Sequence, residues 1–392
     1  MKHCGIIASV LLFVFLTLSL SGCWNRRELD TLAIVSGVAL DKPKETDQIM
    51  ITTQIIKPSQ IKPTSSSGGE TGGSSPYFNL TETGTSLFET IRKMTETCSR
   101  KLYWPHNHII IISWDLAEEG IRKYMDLFIR DPEARLLVFI LISKGQAKDI
   151  LEEKPDLKKI PAMEIAEIVK ASGATSFAPQ ITLKDFSERL LSKTTSPVAP
   201  IILLTGEGKG KRAHVAGTAV FKQDKLVGEL DEIETRGFLW VAGKIKSGII
   251  NVECLQGKGQ NSLEIIRANK KIIPEIKDGH ISITIKIKEE GNLVNQMNNK
   301  DLSEPAAWED LKKRQAAAIE GEIRAALKKA QELNTDIFGF GDSIHKKYPE
   351  LWKEIEPKWD ELFPSLETNV VVDAKLHHPG KLTKPLYPAE ES

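Results

Sequence analysis

Leu32-Ala-Ile-Val-Ser-Gly-Val-Ala-Leu40 is an apolar run of strand length, followed by the turn-rich segment 41–47. Residues 48–56 read as its partner strand, so the pair is expected to form a hairpin. Beyond the hairpin, strand and helix patterns alternate. Leu87, Phe88, Ile91, Met94 and Cys98 recur at helical spacing and predict an amphipathic helix over 85–100. A buried strand is expected at 108–113, a helix at 116–129, a strand at 136–142 and a short helix at 146–153. Such alternation implies parallel crossovers in an α/β layer. Residues 57–76, which contain Ser65-Ser-Ser-Gly-Gly-Glu-Thr-Gly-Gly-Ser-Ser75, are expected to form a mobile loop.

A boundary near Pro155 opens a second segment, with helices at 162–170 and 183–192, strands at 199–205, 214–222 and 225–229, and a helix at 232–241. The third segment begins with strands at 248–255, 262–273 and 280–287, read as an antiparallel set. The alternation Ile281-Ser-Ile-Thr-Ile-Lys-Ile287 is the mark of a half-buried strand. Ser303 suits the N-cap of a long helix whose inward face carries Trp308, Leu311, Gln315, Ile319, Ile323, Leu327 and Ala330. A second amphipathic helix over 349–363 turns Leu351, Trp352, Ile355, Trp359 and Leu362 inward, and a strand at 367–376 is expected to join the antiparallel set. The fold class is therefore α/β (α+β), in three domains, each a mixed or antiparallel sheet with packed helices. Their expected limits are 23–154, 155–246 and 247–386, behind a signal peptide at 1–22.

The signal peptide rests on Lys2, an apolar run over 6–20 and the small residues Ser21 and Gly22. The apolar run is too short for a comfortable span, which needs roughly 20 apolar residues. Leu20-Ser-Gly-Cys23 looks like a bacterial lipobox, which implies diacylglycerol on the Cys23 sulfur and cleavage after Gly22. Two acyl chains anchor a protein stably without a transmembrane helix, since each buried methylene contributes about 0.8 kcal/mol. Trp24, Arg26 and Arg27 then stand at the membrane interface, where an indole and two guanidinium groups suit the headgroups.

With 53 basic and 53 acidic side chains, the chain has no excess of cations for nucleic acid. Cys98 and Cys254 are expected to be separate buried residues, although one bridge between them is conceivable. His106 and His108 have the spacing of metal ligands on one strand face, yet no third ligand stands at recognisable spacing, so no metal or other cofactor is expected. Thr205-Gly-Glu-Gly-Lys-Gly-Lys211 departs from both the phosphate-loop and the dinucleotide patterns and reads as a loop. Glu229, Asp231, Glu232 and Glu234 are an acidic helix start. Without a nucleophile elbow or a metalloprotease helix, catalysis is not expected.

Three stretches together resemble the Ger(x)C family, the lipoprotein C subunits of nutrient germinant receptors in endospore-forming bacteria. They are Gly22-Cys-Trp-Asn-Arg-Arg-Glu-Leu-Asp30 with Leu32–Gly37; Glu234-Thr-Arg-Gly-Phe-Leu-Trp240 with Gly243-Lys244; and Asp336-Ile-Phe-Gly-Phe-Gly-Asp-Ser-Ile-His-Lys-Lys-Tyr-Pro349 with Trp352 and Trp359. The resemblance implies anchorage on the outer face of the spore inner membrane, assembly with A-type and B-type membrane subunits, and no catalysis. It marks Arg236, Gly237, Trp240, Gly339, Gly341, Tyr348, Pro349, Trp352 and Trp359 as motif residues that maintain the fold. Gly339 and Gly341 fit turn conformations closed to other residues, with Phe338 and Phe340 anchoring the turn. The competing expectation is a solute-binding lipoprotein of a transporter, which calls for two lobes closing over a ligand.

Overall fold

The computed structural model describes residues 28–44, 46–61, 75–253, 259–297 and 304–377, with positions 5, 6 and 13. Its first sheet holds β1 (Leu32–Asp41), β2 (Ile49–Ile56), β3 (Tyr77–Gly84), β4 (Lys101–Tyr103), β5 (Ile109–Ser113), β6 (Phe139–Ser143), β7 (Val198–Thr205), β8 (Arg212–Lys222) and β9 (Lys225–Leu230). The order is β3-β2-β1-β5-β6-β7-β8-β9, with β4 also beside β1. β1, β5, β6 and β7 run parallel at the centre, and both flanks are antiparallel.

Helices cover both faces of this sheet: α1 (Leu87–Thr97), α2 (Trp114–Glu119), α3 (Arg122–Arg130), α4 (Ala147–Glu152), α5 (Pro161–Ala171) and α6 (Leu183–Leu191). The unbroken run Ile109-Ile-Ile-Ile112 is buried throughout, because successive side chains enter opposite cores. Ile110 and Ile112 pack with Met94, Met125 and Phe186 on one face, while Ile109 and Ile111 pack with Ile150, Ile165 and Val169 on the other. Local chemistry starts the helices. Ser86 accepts from the Glu89 N–H to cap α1, and Thr182 forms a capping box with Asp185 at α6.

The second sheet is β10 (Ile249–Glu253), β11 (Gln260–Lys277), β12 (His280–Gln296) and β13 (Glu367–His377), in that order. β10, β11 and β12 are antiparallel as expected, whereas β13 joins β12 in parallel. Between the sheets lie α7 (Glu232–Ala242) and the long α8 (Pro305–Glu332), followed by α9 (Phe340–Lys347), α10 (Pro349–Ile355) and α11 (Trp359–Leu362). Leu311, Gln315, Ile319, Ile323, Leu327 and Ala330 of α8 are all buried, on the face that the sequence periodicity marked.

Several expectations need correction. Three separate sheets were expected, but the described strands make two. β6 and β7 pair across the expected boundary, Ile142 with Ile201 and Ser143 with Ile202, and one continuous apolar cluster runs from the first sheet to the second. The helix expected over 116–129 is broken at Gly120, whose φ of 117° lies outside the helical region. The helix expected over 349–363 is interrupted by a 3-10 turn at Glu356–Lys358, because Pro357 has no N–H to continue the ladder. α8 begins at Pro305 with Glu304 as N-cap and no side-chain cap; Ser303 lies outside the described residues. Residues 62–74 of the expected loop and Cys254 also lie outside, and Cys98 is half-buried. The loop's ends are fastened by the Lys57 N–H, which donates to the Pro76 carbonyl at 2.7 Å.

Candidate functional site

The second and third motifs, about a hundred residues apart in sequence, meet in one buried junction between the sheets. α7 starts from a capping box in which Asp231 and Glu234 satisfy each other's backbone N–H groups, so the acidic run is a helix start as expected. Its other end closes on Gly243, left-handed at φ 68°, with the Lys244 N–H reaching back to the Leu239 carbonyl. This fixes the axis of α7 and turns Arg236, Gly237 and Trp240 toward α8.

Arg236 is 8% exposed and donates through Nε to Glu322 Oε2 at 2.9 Å, through Nη2 to Glu322 Oε1, and through Nη1 to the Ile249 carbonyl at 2.8 Å. The Trp240 indole N–H donates to the same Glu322 Oε2 at 2.8 Å. One carboxylate on α8 thus collects a bidentate guanidinium and an indole from α7. The guanidinium also lies 5.2 Å from the ring centroid of Phe177. Gly237 lets this happen: a Cβ there would sit 2.0 Å from the Glu322 carbonyl oxygen, so the two helix backbones touch.

The third motif folds around Asp336. This buried carboxylate accepts from the N–H groups of Gly339 (2.9 Å), Phe340 (3.0 Å) and Gly341 (2.8 Å), so it holds the start of α9. Burial pushes its pKa up to about 6, against the pull of those N–H groups. Gly339 is left-handed at φ 75° as the turn requires, while Gly341 lies against Trp352, where a Cβ would be 2.8 Å from the indole. Trp352 and Trp359 meet edge to face at 5.4 Å. Tyr348 is half-buried between α9 and α10, and Pro349 occupies the first turn of α10, where its missing N–H costs nothing.

Phe338 joins the two motifs. It stacks on Phe340 at 5.0 Å and meets Phe238 of α7 at 6.1 Å. Arg189 braces the same place from α6, with its guanidinium 5.6 Å from the Phe238 ring and Nη1 donating to the carbonyls of Ser196 and Ile337 at 3.0 Å each. Beside the turn, a polar cleft of about 140 Å³ is lined by Arg189, Thr194, Asn334, Asp336 and Trp359 among others.

Sequence reading picked out the motif residues but missed Glu322, Arg189 and the role of Asp336. A signal for Glu322 existed: it follows Gln315 by seven residues on the apolar face of α8, so both polar groups had to be buried. Cys23, Trp24, Arg26 and Arg27 lie outside the described residues. His106 is exposed beside Tyr103, with the buried Asn107 between it and the half-buried His108. Burial holds His108 below its usual pKa. Among the described residues no cluster of His, Cys, Asp or Glu is arranged to hold a metal. No helix among them is long and apolar enough to cross a membrane.

Together these features define an α/β protein with two sheets fastened by an ion-paired helix junction. Residues 25–204 match the family described as spore germination protein N-terminal domain, and residues 216–380 the one described as spore germination B3/GerAC like, C-terminal. The chain belongs to this GerAC-like family of spore germination proteins, as its three motifs suggested. It is 28% identical over 401 residues to spore germination protein KC of Bacillus subtilis (strain 168), covering 97% of this chain and 98% of that protein. Spore germination protein A3 of the same organism is 26% identical over 362 residues, covering 90% and 92%. The crystal structure of the GerBC protein shares the fold, with a TM-score of 0.54 at 21% identity over 87% of this chain and 96% of that one.

Proposed function

We propose that this chain is the lipid-anchored C subunit of a nutrient germinant receptor. In this reading Cys23 carries diacylglycerol, the protein sits on the outer face of the spore inner membrane, and it assembles with A-type and B-type membrane subunits. It acts as a coupler and not as an enzyme. The observation that carries the reading is similarity along nearly the full length to spore germination proteins KC, B3 and A3. The Leu20-Ser-Gly-Cys23 junction supports the anchor. The buried Arg236–Glu322 pair, which ties α7 to α8 within the apolar cluster shared by the two sheets, is consistent with a coupling role.

The test is purification of a C-terminally tagged chain from spore membranes. Co-purification of A-type and B-type subunits, with a diacylglyceryl-modified Cys23 as the first residue by mass spectrometry, is the expected result. Recovery with the components of a solute transporter would instead favour a solute-binding lipoprotein.

A further inference from the structure

Strand register places one end of the first sheet close to the start of the chain. Leu32 opens β1 level with Lys101 of β4, and Ile56 closes β2 level with Tyr77 of β3. An open cavity of about 590 Å³ at this end is shared by Asp30, Lys57, Phe78 and Arg100. The loop 131–137 comes to the same level, because Lys101 Nζ pairs with Glu133 at 3.1 Å. From Cys23 to Glu28, the first residue of the described body, an extended chain reaches at most about 18 Å. The far end of β1, a strand of 10 residues, lies roughly 33 Å beyond its start.

The same end exposes Leu137 at 74%, Ile61 at 44%, Leu136 at 42% and Phe78 at 37%. Exposed apolar side chains also occur elsewhere, such as Leu157 at 92%, and exposure alone means little. What sets these four apart is their placement around the entry of the chain, with two of them adjacent in one loop. The charges beside them have both signs: Lys57, Arg100 and Arg135 against Asp30, with Glu133 paired to Lys101. The rim is therefore net cationic, so attraction to anionic headgroups adds to apolar insertion, while on neutral phosphatidylcholine insertion acts alone. Lys57 Nζ lies 5.4 Å from the centroid of the Phe78 ring, the arrangement of an ammonium that stays at the headgroups above a buried ring.

We propose that this end of the first sheet is a membrane-contacting face, on which Leu136, Leu137, Ile61 and Phe78 enter the lipid interface. The inference rests on lipidation of Cys23, and it goes further by fixing which side of the protein faces the bilayer. The two leucines then share the membrane with the anchor, so the body lies against the bilayer in one orientation and does not swing on its tether.

The test uses the full lipidated chain in vesicles of phosphatidylcholine with brominated acyl chains, on a Cys98→Ala/Cys254→Ala background. A fluorophore is attached at Leu137→Cys, at Ile61→Cys, or at the still more exposed Leu157→Cys as a control. Quenching several-fold stronger at positions 137 and 61 than at 157, unchanged by added salt, is the expected result. Equal quenching at all three positions, in protein that floats with the vesicles, overturns the face while leaving the anchor intact. Protein that fails to float with the vesicles removes the anchor and this inference with it.

Discussion

Gly237 and Glu322 are in backbone contact: a methyl group at Gly237 would meet the Glu322 carbonyl oxygen at 2.0 Å. A rigid carbonyl cannot swing aside as a side-chain tip does, so any larger residue must push α7 off α8. Gly237→Ala is expected to destabilise the fold by about 1–3 kcal/mol, the range for overpacking in a close-packed core. Chemical denaturation checks this, and an unchanged midpoint would contradict the contact.

The ion pair itself has a distinct signature. Glu322→Ala leaves the buried Arg236 charge without its carboxylate and the Trp240 N–H without an acceptor, an expected loss of about 3–5 kcal/mol. The double variant Arg236→Met/Glu322→Leu removes both charges and is expected to recover the part of that loss due to the unpaired guanidinium, leaving the Trp240 N–H without its acceptor. A double variant as unstable as Glu322→Ala would show that the pair contributes net stability beyond satisfying itself, provided that Trp240→Phe on the same background leaves the loss unchanged.

Asp336→Ala strips three backbone N–H groups of their shared acceptor at a buried site. Each orphaned group costs about 1–3 kcal/mol, so a loss of at least about 3 kcal/mol is expected in thermal or chemical melts. Gly341→Ala should act next door through crowding. Its Cβ would press on Trp352, so the fluorescence of the Trp352–Trp359 pair is expected to shift even where the protein stays folded.

Adjacent residues of β12 face opposite ways and titrate in opposite directions. Burial against α8 pushes Glu289 up to about 8, with Gln315 donating to it at 2.7 Å, whereas the half-buried Glu290 is held down to about 2 by hydrogen bonds from Arg267 and His377. The folded state therefore keeps Glu289 protonated well above the ordinary value of 4.5. The stability this contributes is complete below 4.5 and is lost as pH rises through about 8. Asp41 and Asp336, raised only to about 6, add to the decline at lower pH. Above about 6 the slope should come mainly from Glu289, at most about 1.4 kcal/mol per pH unit. Glu289→Gln is expected to flatten it, read from denaturation midpoints between pH 6 and 9. A slope unchanged by the substitution would mean that the carboxyl is ionised in the fold.

Much of this architecture was legible in local pattern. The hairpin, the alternation of strands and helices, and the buried face of α8 all follow from period-two and period-3.6 spacing. β3 escaped notice because Tyr77-Phe-Asn-Leu-Thr-Glu-Thr-Gly84 is an edge strand with mostly half-exposed or exposed side chains, and its mixed polarity gives no clean alternation. The next strand in sequence, β4, is only three residues long. The β6–β7 pairing that merges two expected sheets rests on two residue pairs joined by a long crossover, which no local window can contain. The motif residues of the junction were visible as unusual glycines and tryptophans. For their partner Glu322 only its place on the apolar face of α8 was legible; that it answers Arg236 and Trp240 depends on how α7 and α8 are brought together, which no local pattern contains.

The reading of this chain as a receptor subunit meets its most direct test in germination itself. The measurement is deletion of the gene in its spore-forming host, complemented by wild type or by Cys23→Ala, with germination scored on individual nutrients. The account predicts loss of response to a subset of nutrients, restored by the wild-type chain and not by Cys23→Ala. Normal germination of the deletion strain on every nutrient, accompanied by a defect in solute uptake, would contradict it.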